Sequence, residues 1–205
     1  MARIDDYKAA YKIAREKLVL ISYDEIVRQS GFKGTGVDLF QVPFLDRMYM
    51  VSYPDFSFRD EAELEKKIPL QEQVLILHYL QGAGRKKIAR NWIAYREIPG
   101  ASFYFAAFVK RAIDPLKQVF GQNIDGFTRA AHQLGGTTVE AGDAAIEFTV
   151  FPHVPTQLIL HAGDEEFPPE ANILFDDSIG TILSPEDVAW MAGMVVYRLM
   201  ALAQT

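Results

Sequence analysis

The chain has 205 residues, 49% of them hydrophobic and 23% charged, with 21 Lys and Arg against 27 Asp and Glu. This is ordinary globular usage, long enough for a self-supporting core, and it excludes a disordered or collagen-like chain. A net charge of −6 speaks against general binding to nucleic acid or anionic membranes, and the absence of cysteine excludes disulfides, thiolate zinc, iron–sulfur sites and a cysteine nucleophile.

The first segment, 4–20, spaces Ile4, Tyr7, Tyr11, Ala14 and Leu18 by three and four, which predicts an amphipathic helix. Ser22 with Glu25 predicts a capping box for a short helix ending near Gly31. The period then changes to alternation over 37–42 and 48–53, two antiparallel strands joined around Pro43-Phe44-Leu45-Asp46. The charge-dense stretch 59–67 reads as a solvated turn or short helix. From Pro69, Leu70, Val74, Leu75, Ile76, Leu77, Tyr79 and Leu80 cover most of a helix circumference, so this helix is placed centrally, with His78 as a hydrogen-bonded core residue.

Gly82-Ala83-Gly84 ends that helix, and Arg85-Lys86-Lys87 follows in a loop. A strand is predicted over 92–98, stopped by Pro99-Gly100. Ser102 is the expected cap of a helix carrying Phe103, Tyr104, Phe108, Val109 and Ile113, which Asp114-Pro115 interrupts and restarts. A further helix over 123–134 closes at Gly135-Gly136. Strands follow at 137–140, 144–151, 156–161 and 171–175, and Ser184-Pro185-Glu186-Asp187 starts a last helix running to about Ala203. Its apolar run, 188–197, is ten residues, short of the roughly 20 a membrane span needs. With no signal-like stretch at Met1-Ala2-Arg3-Ile4, a soluble cytoplasmic protein is expected.

The pattern predicts one α+β domain with mainly antiparallel sheet and about five to seven helices. It divides into N-terminal helices and a hairpin (1–68), central helices and a strand (69–136), and C-terminal strands with a terminal helix (137–205). The two strand clusters are free to form one sheet or two.

Motifs with chemical content are few. The glycines and cations at 82–87 lack the strand-loop-helix order of a phosphate loop, and Ile88 follows where Ser or Thr is needed; they read as a helix C-terminus. His132-Gln133-Leu134-Gly135 matches half of a corrinoid-histidine pattern, but Ala130 stands where the orienting aspartate belongs. Asp164, Glu165 and Glu166, with Asp177 one strand away, form the densest carboxylate group, beside His161; hard cations favour such oxygen sets, although the spacing fits no EF-hand. Trp92, Tyr95 and Arg96 combine aromatic and guanidinium groups suited to an anion or planar ligand. No nucleophile motif is present. The candidate ligand-binding residues are therefore Trp92, Tyr95, Arg96, His161, Asp164, Glu165 and Glu166, with no metal site and no cofactor assigned.

Five stretches in register carry a resemblance: Ile68 to Leu80, Trp92 to Gly100, Leu134-Gly135-Gly136, Gly163 to Pro168, and Ile173-Leu174-Phe175-Asp176. Together they resemble the prokaryotic domain-of-unknown-function family 3786, found mainly in anaerobic bacteria and archaea. The family supplies no catalytic residues. Some members carry an added cysteine motif similar to the iron–sulfur domain of corrinoid iron–sulfur proteins, which implies corrinoid or one-carbon metabolism. This chain has no cysteine, so it carries no such cluster.

Three readings result. The leading one is a non-catalytic binding or accessory module that holds a small molecule or docks a metabolic partner. The second is a metal-assisted hydrolase or lyase using Glu165, Glu166 or Asp177 with His161. The third is a protein–protein interaction domain, including a homodimer formed through a strand edge or apolar patch.

Overall fold

A computed structural model describes residues 4–84 and 87–204. The fold is α+β, with two sheets of antiparallel strand pairs ordered β1-β2-β3-β4 and β5-β9-β8-β7-β6. The two strand clusters thus form separate sheets. By packing, the chain divides into two compact units, residues 1–87 with 151–153, and residues 88–150 with 154–205.

In the first unit, α1 (Ile4–Leu18) buries Ala14 and Leu18. α2 (Tyr23–Ser30) begins at Ser22, whose hydroxyl accepts from the Glu25 amide at 3.3 Å, and ends at Gly31 in the left-handed region. The Glu25 carboxylate turns to Arg28 and Gln29. β1 (Lys33–Gly34), β2 (Leu39–Phe44), β3 (Arg47–Ser52) and β4 (Phe58–Asp60) form the first sheet. Pro43 and Phe44, expected in the connection, belong to β2, and the turn shrinks to Leu45-Asp46 with Leu45 at φ 54. Pro43 fits there because β1 pairs only as far as Phe40 and Gln41, so no neighbour needs its missing N–H.

The inner sheet face buries Phe40, Val42, Phe44, Tyr49 and Val51. Against the solvated expectation for 59–67, Asp60 is only 2% exposed. Its carboxylate accepts from the Ala62 and Glu63 amides at 2.9 and 3.2 Å and pairs with Arg47 at 3.2 Å, so burial leaves no bare charge.

The helix α3 (Leu70–Gly82) is buried on most of its surface, as its apolar pattern predicts, with His78 half-buried. Its Tyr79 ring stacks on Phe151 at 4.4 Å, and the hydroxyl donates to the Ser30 carbonyl at 2.6 Å. Tyr11, Tyr23 and Tyr53 likewise donate to the carbonyls of Phe56, Leu39 and Ile21, so aromatic bulk and polar satisfaction come from the same residues. Arg85 and Lys86, within the loop read as a helix C-terminus, lie outside the described residues; Gly84 before them sits at φ 78.

The second unit opens with β5 (Trp92–Ala94). The strand predicted to reach residue 98 stops there, because 95–97 winds into a 3₁₀ turn in which the Glu97 carboxylate accepts from the Ala94 amide at 2.7 Å. Ser102 lies in a second 3₁₀ turn (Ala101–Phe103) and caps nothing; α4 (Phe105–Phe108) starts after Tyr104.

The expected break at Asp114-Pro115 is absent. α4 passes into a π turn (Val109–Ile113) and then α5 (Asp114–Phe120) without leaving helical backbone. The Asp114 amide bonds back to Val109, five residues away. The wider turn accommodates the proline ring, which would otherwise crowd the Arg111 carbonyl. Counting this run once, the described residues hold seven helices.

α6 (Ile124–Gln133) is capped by Asn123, whose side chain accepts from the Gly126 amide at 3.0 Å. β6 (Thr137–Val139), β7 (Ala144–Phe151), β8 (Val154–His161) and β9 (Glu170–Asp176) complete the second sheet. Only Pro152 and His153 form the turn between β7 and β8, since Val154 and Pro155 are already in strand. After α7 (Ile179–Ile182), α8 (Pro185–Leu202) starts as expected at Ser184 and buries Val188, Ala189, Met191, Ala192, Gly193, Val195, Val196 and Leu199. Among the described residues no helix is long and apolar enough to cross a membrane.

The π turn meets α8 at Gly193. A β-carbon there would lie 3.3 Å from both the Arg111 carbonyl oxygen and its Cβ, and the Arg111 guanidinium covers Trp190 at 4.2 Å. Gly193→Val should therefore destabilise the protein by about 1–3 kcal/mol, because the branched side chain meets backbone. A urea midpoint equal to wild type would show that the two helices separate freely.

Candidate functional site

The early end of β5 creates the site. β5 pairs with β9 as Trp92↔Asp176, Ile93↔Phe175 and Ala94↔Leu174, so a continued ladder would set Arg96 opposite Asn172. The 3₁₀ turn removes the chain from that position and leaves a cleft of about 250 Å³. The π-turn residues Val109 and Ile113 line it with Phe105 and Phe108 of α4, and the start of β9 adds Ala171 and Asn172. Ala94, Tyr95 and Arg96 complete it.

The Arg96 guanidinium lies 3.8 Å from the centre of the Phe105 ring. Stacking holds its plane while leaving the N–H edges open, and among the described residues it makes no ion pair. Tyr95 is buried, stacked parallel on Phe108 at 4.1 Å, and its hydroxyl donates to the Pro185 carbonyl at 2.8 Å. Burial, with the nearby Tyr104 hydroxyl adding to it, pushes the Tyr95 phenol up to about 12, so it remains a neutral anchor.

The remaining candidates lie elsewhere in the unit. Trp92 is half-buried on β5 and lines no part of the cleft. His161 is exposed at the end of β8, with Nδ1 4.0 Å from the Asp143 carboxylate. Asp164 folds its own loop: its carboxylate accepts from the Glu166 and Phe167 amides at 2.8 and 2.7 Å, and these bonds hold it below the usual carboxylate range. Glu165 and Glu166 are exposed in the same bend. The cleft has none of these carboxylates in its lining, and the described residues contain no group of three or more His, Asp or Glu able to hold a metal ion.

Of the candidates, Tyr95 and Arg96 line the cleft; Phe105, Phe108, Val109, Ile113 and Asn172, which join them there, are not among the residues singled out from the sequence. A signal for four of them was present: an apolar helical pattern continuing up to Asp114-Pro115 is where a π turn can absorb a proline. A larger hollow of about 340 Å³ lies on the outer face of the first sheet, lined by Leu39, Met50, Ser52, Ser57, Arg59, Glu61 and Leu64. The Ser52 hydroxyl there is engaged with Asp55 and Ser57, and no ring among the described residues holds Arg59. It lacks the fixed cation that marks the cleft on the second unit.

No curated protein and no solved structure matches this chain. One family model does, described as a domain of unknown function (DUF3786), over residues 22–198. That span includes both sheets, the π turn and every wall of the cleft, and the chain is accordingly a member of the DUF3786 family.

Proposed function

We propose that this protein is a non-catalytic binding module of the cytoplasm, holding a small ligand in the cleft between Arg96 and the π turn. The observation carrying the reading is the Arg96 guanidinium fixed over Phe105 at the mouth of an apolar recess. A cation pre-set on an aromatic shelf, beside apolar walls and one amide side chain, supplies orientation and burial together. π turns recur at functional sites, and here two of the turn's residues are cleft walls. The metabolic setting, an accessory role in anaerobic corrinoid or one-carbon pathways, rests on the family resemblance alone. Against the metal-assisted alternative stands Asp164, whose carboxylate is committed to its own loop.

The test is a two-dimensional amide NMR screen of the full chain against small planar acids, amides and amines. Saturable shifts are expected at Ala94 to Arg96, Phe105 to Ile113 and Ala171-Asn172. Shifts confined to the acidic loop at 164–166, or no saturable shift with any fragment, would overturn the reading.

A further inference from the structure

We infer that the ligand class of this cleft is a small carboxylate bearing a flat or branched apolar group; the inference rests on the binding reading above. Its geometry separates into two halves. At the rim, one face of the Arg96 guanidinium lies over Phe105, and with no ion pair among the described residues its in-plane N–H donors remain for a ligand. An in-plane edge of parallel N–H donors matches the two oxygens of a carboxylate. Stacking also fixes the fork in advance, which reduces the side-chain entropy lost when a ligand arrives.

Inside, Phe105, Phe108, Val109, Ile113 and Ala171 provide carbon surface. The Tyr95 hydroxyl is turned away to Pro185, so it offers no competing polar group to the recess. A recess of about 250 Å³ suits a ring or short branched chain rather than a nucleotide. Inorganic phosphate would satisfy the cation but leave the walls wet, and a neutral amide would fill the recess but leave the fork without an anion. Asn172, exposed at the register position facing the vacated strand, is the second polar group available to the carboxylate.

The experiment titrates benzoate, benzamide and inorganic phosphate into the full chain, with amide NMR shifts as the readout. Benzoate is expected to shift the cleft residues and to bind at least about tenfold more tightly than benzamide, the fold-change for one charge-assisted pair. Phosphate is expected to leave Phe108, Val109 and Ile113 unmoved. Arg96→Gln should bring benzoate down to the benzamide level, and Arg96→Lys should restore only part, since an ammonium offers no fork. Equal binding of benzoate and benzamide by wild type would overturn the carboxylate inference while leaving a ligand site in place. No cleft shift with either compound would overturn the inference, and the fragment screen then decides the binding reading separately. The benzoate–benzamide comparison uses the unaltered protein, so it holds even if an Arg96 variant misfolds.

Discussion

Phe151→Ala is expected to destabilise the first unit by about 3–5 kcal/mol, the range for removing a buried phenyl ring. Phe151 is 1% exposed and touches three other rings: Tyr79 at 4.4 Å, Phe44 at 5.3 Å and Phe32 at 6.4 Å. These come from α3, β2 and the segment after α2, so one side chain ties together elements distant in sequence. Alanine would leave a void bounded by stiff aromatic rings and sheet, which relax poorly. Phe151→Leu should recover more than half of the loss by refilling volume without the stacking. Urea unfolding followed by near-ultraviolet circular dichroism measures both, and an alanine variant within 1 kcal/mol of wild type would show that the cluster closes without Phe151.

The second large effect is expected at Asp176, and it carries a pH signature. This carboxylate is 1% exposed at the end of β9 and accepts from the Ala89, Arg90 and Ser178 amides at 3.1, 2.6 and 3.0 Å, and from the Ser178 hydroxyl. Burial raises its pKa, but the Ser178 hydroxyl and the three amides outweigh burial and hold it below the ordinary value. Asp176→Ala would strand the buried Ser178 amide and hydroxyl together with the part-buried Ala89 and Arg90 amides, and should destabilise by about 2–4 kcal/mol. A carboxyl whose folded pKa is depressed stabilises fully above its unfolded pKa, near 3.9 for aspartate. That contribution fades as pH falls from there through the lower folded value. The gap between wild type and Asp176→Ala should therefore be constant at neutral pH and narrow below about pH 4. A gap independent of pH would show that the carboxylate is not what the donors require.

Much of the fold is legible in the sequence because its signals are local. Ser22 and Ser184 cap helices where their side chains can reach an exposed amide, and the apolar circumference of α3 predicts its central burial. The misreadings occur where a distant contact overrides a local preference. The alternation at 92–98 reads as one strand, yet Glu97 folds back on the Ala94 amide and Tyr95 is drawn against Phe108. Asp114-Pro115 reads as a break, yet the turn before it widens and the helix continues, with Gly193 allowing α8 to approach the displaced carbonyl. The cleft arises from these two departures together. Tyr95 and Arg96 stand in a segment that its aromatic and cationic groups single out, while the walls around them depend on pairings more than 70 residues apart, such as Ala94 with Leu174.

The turn at Pro152-His153 has a consequence for the order in which this chain acquires structure. Phe151, Pro152 and His153 belong to the first unit although 63 residues of the second precede them, from Ile88 to Val150. His153 sits within hydrogen-bonding distance of the Gln29 carbonyl at 3.0 Å, and Pro152 packs where Gly31 lacks a side chain. A ribosome that has released only the first 87 residues has thus delivered an unfinished core, with one face of Tyr79 still wet. Severed at Lys87, that polypeptide should behave as a chaperone client, and supplying residues 144–161 in trans should rescue its solubility.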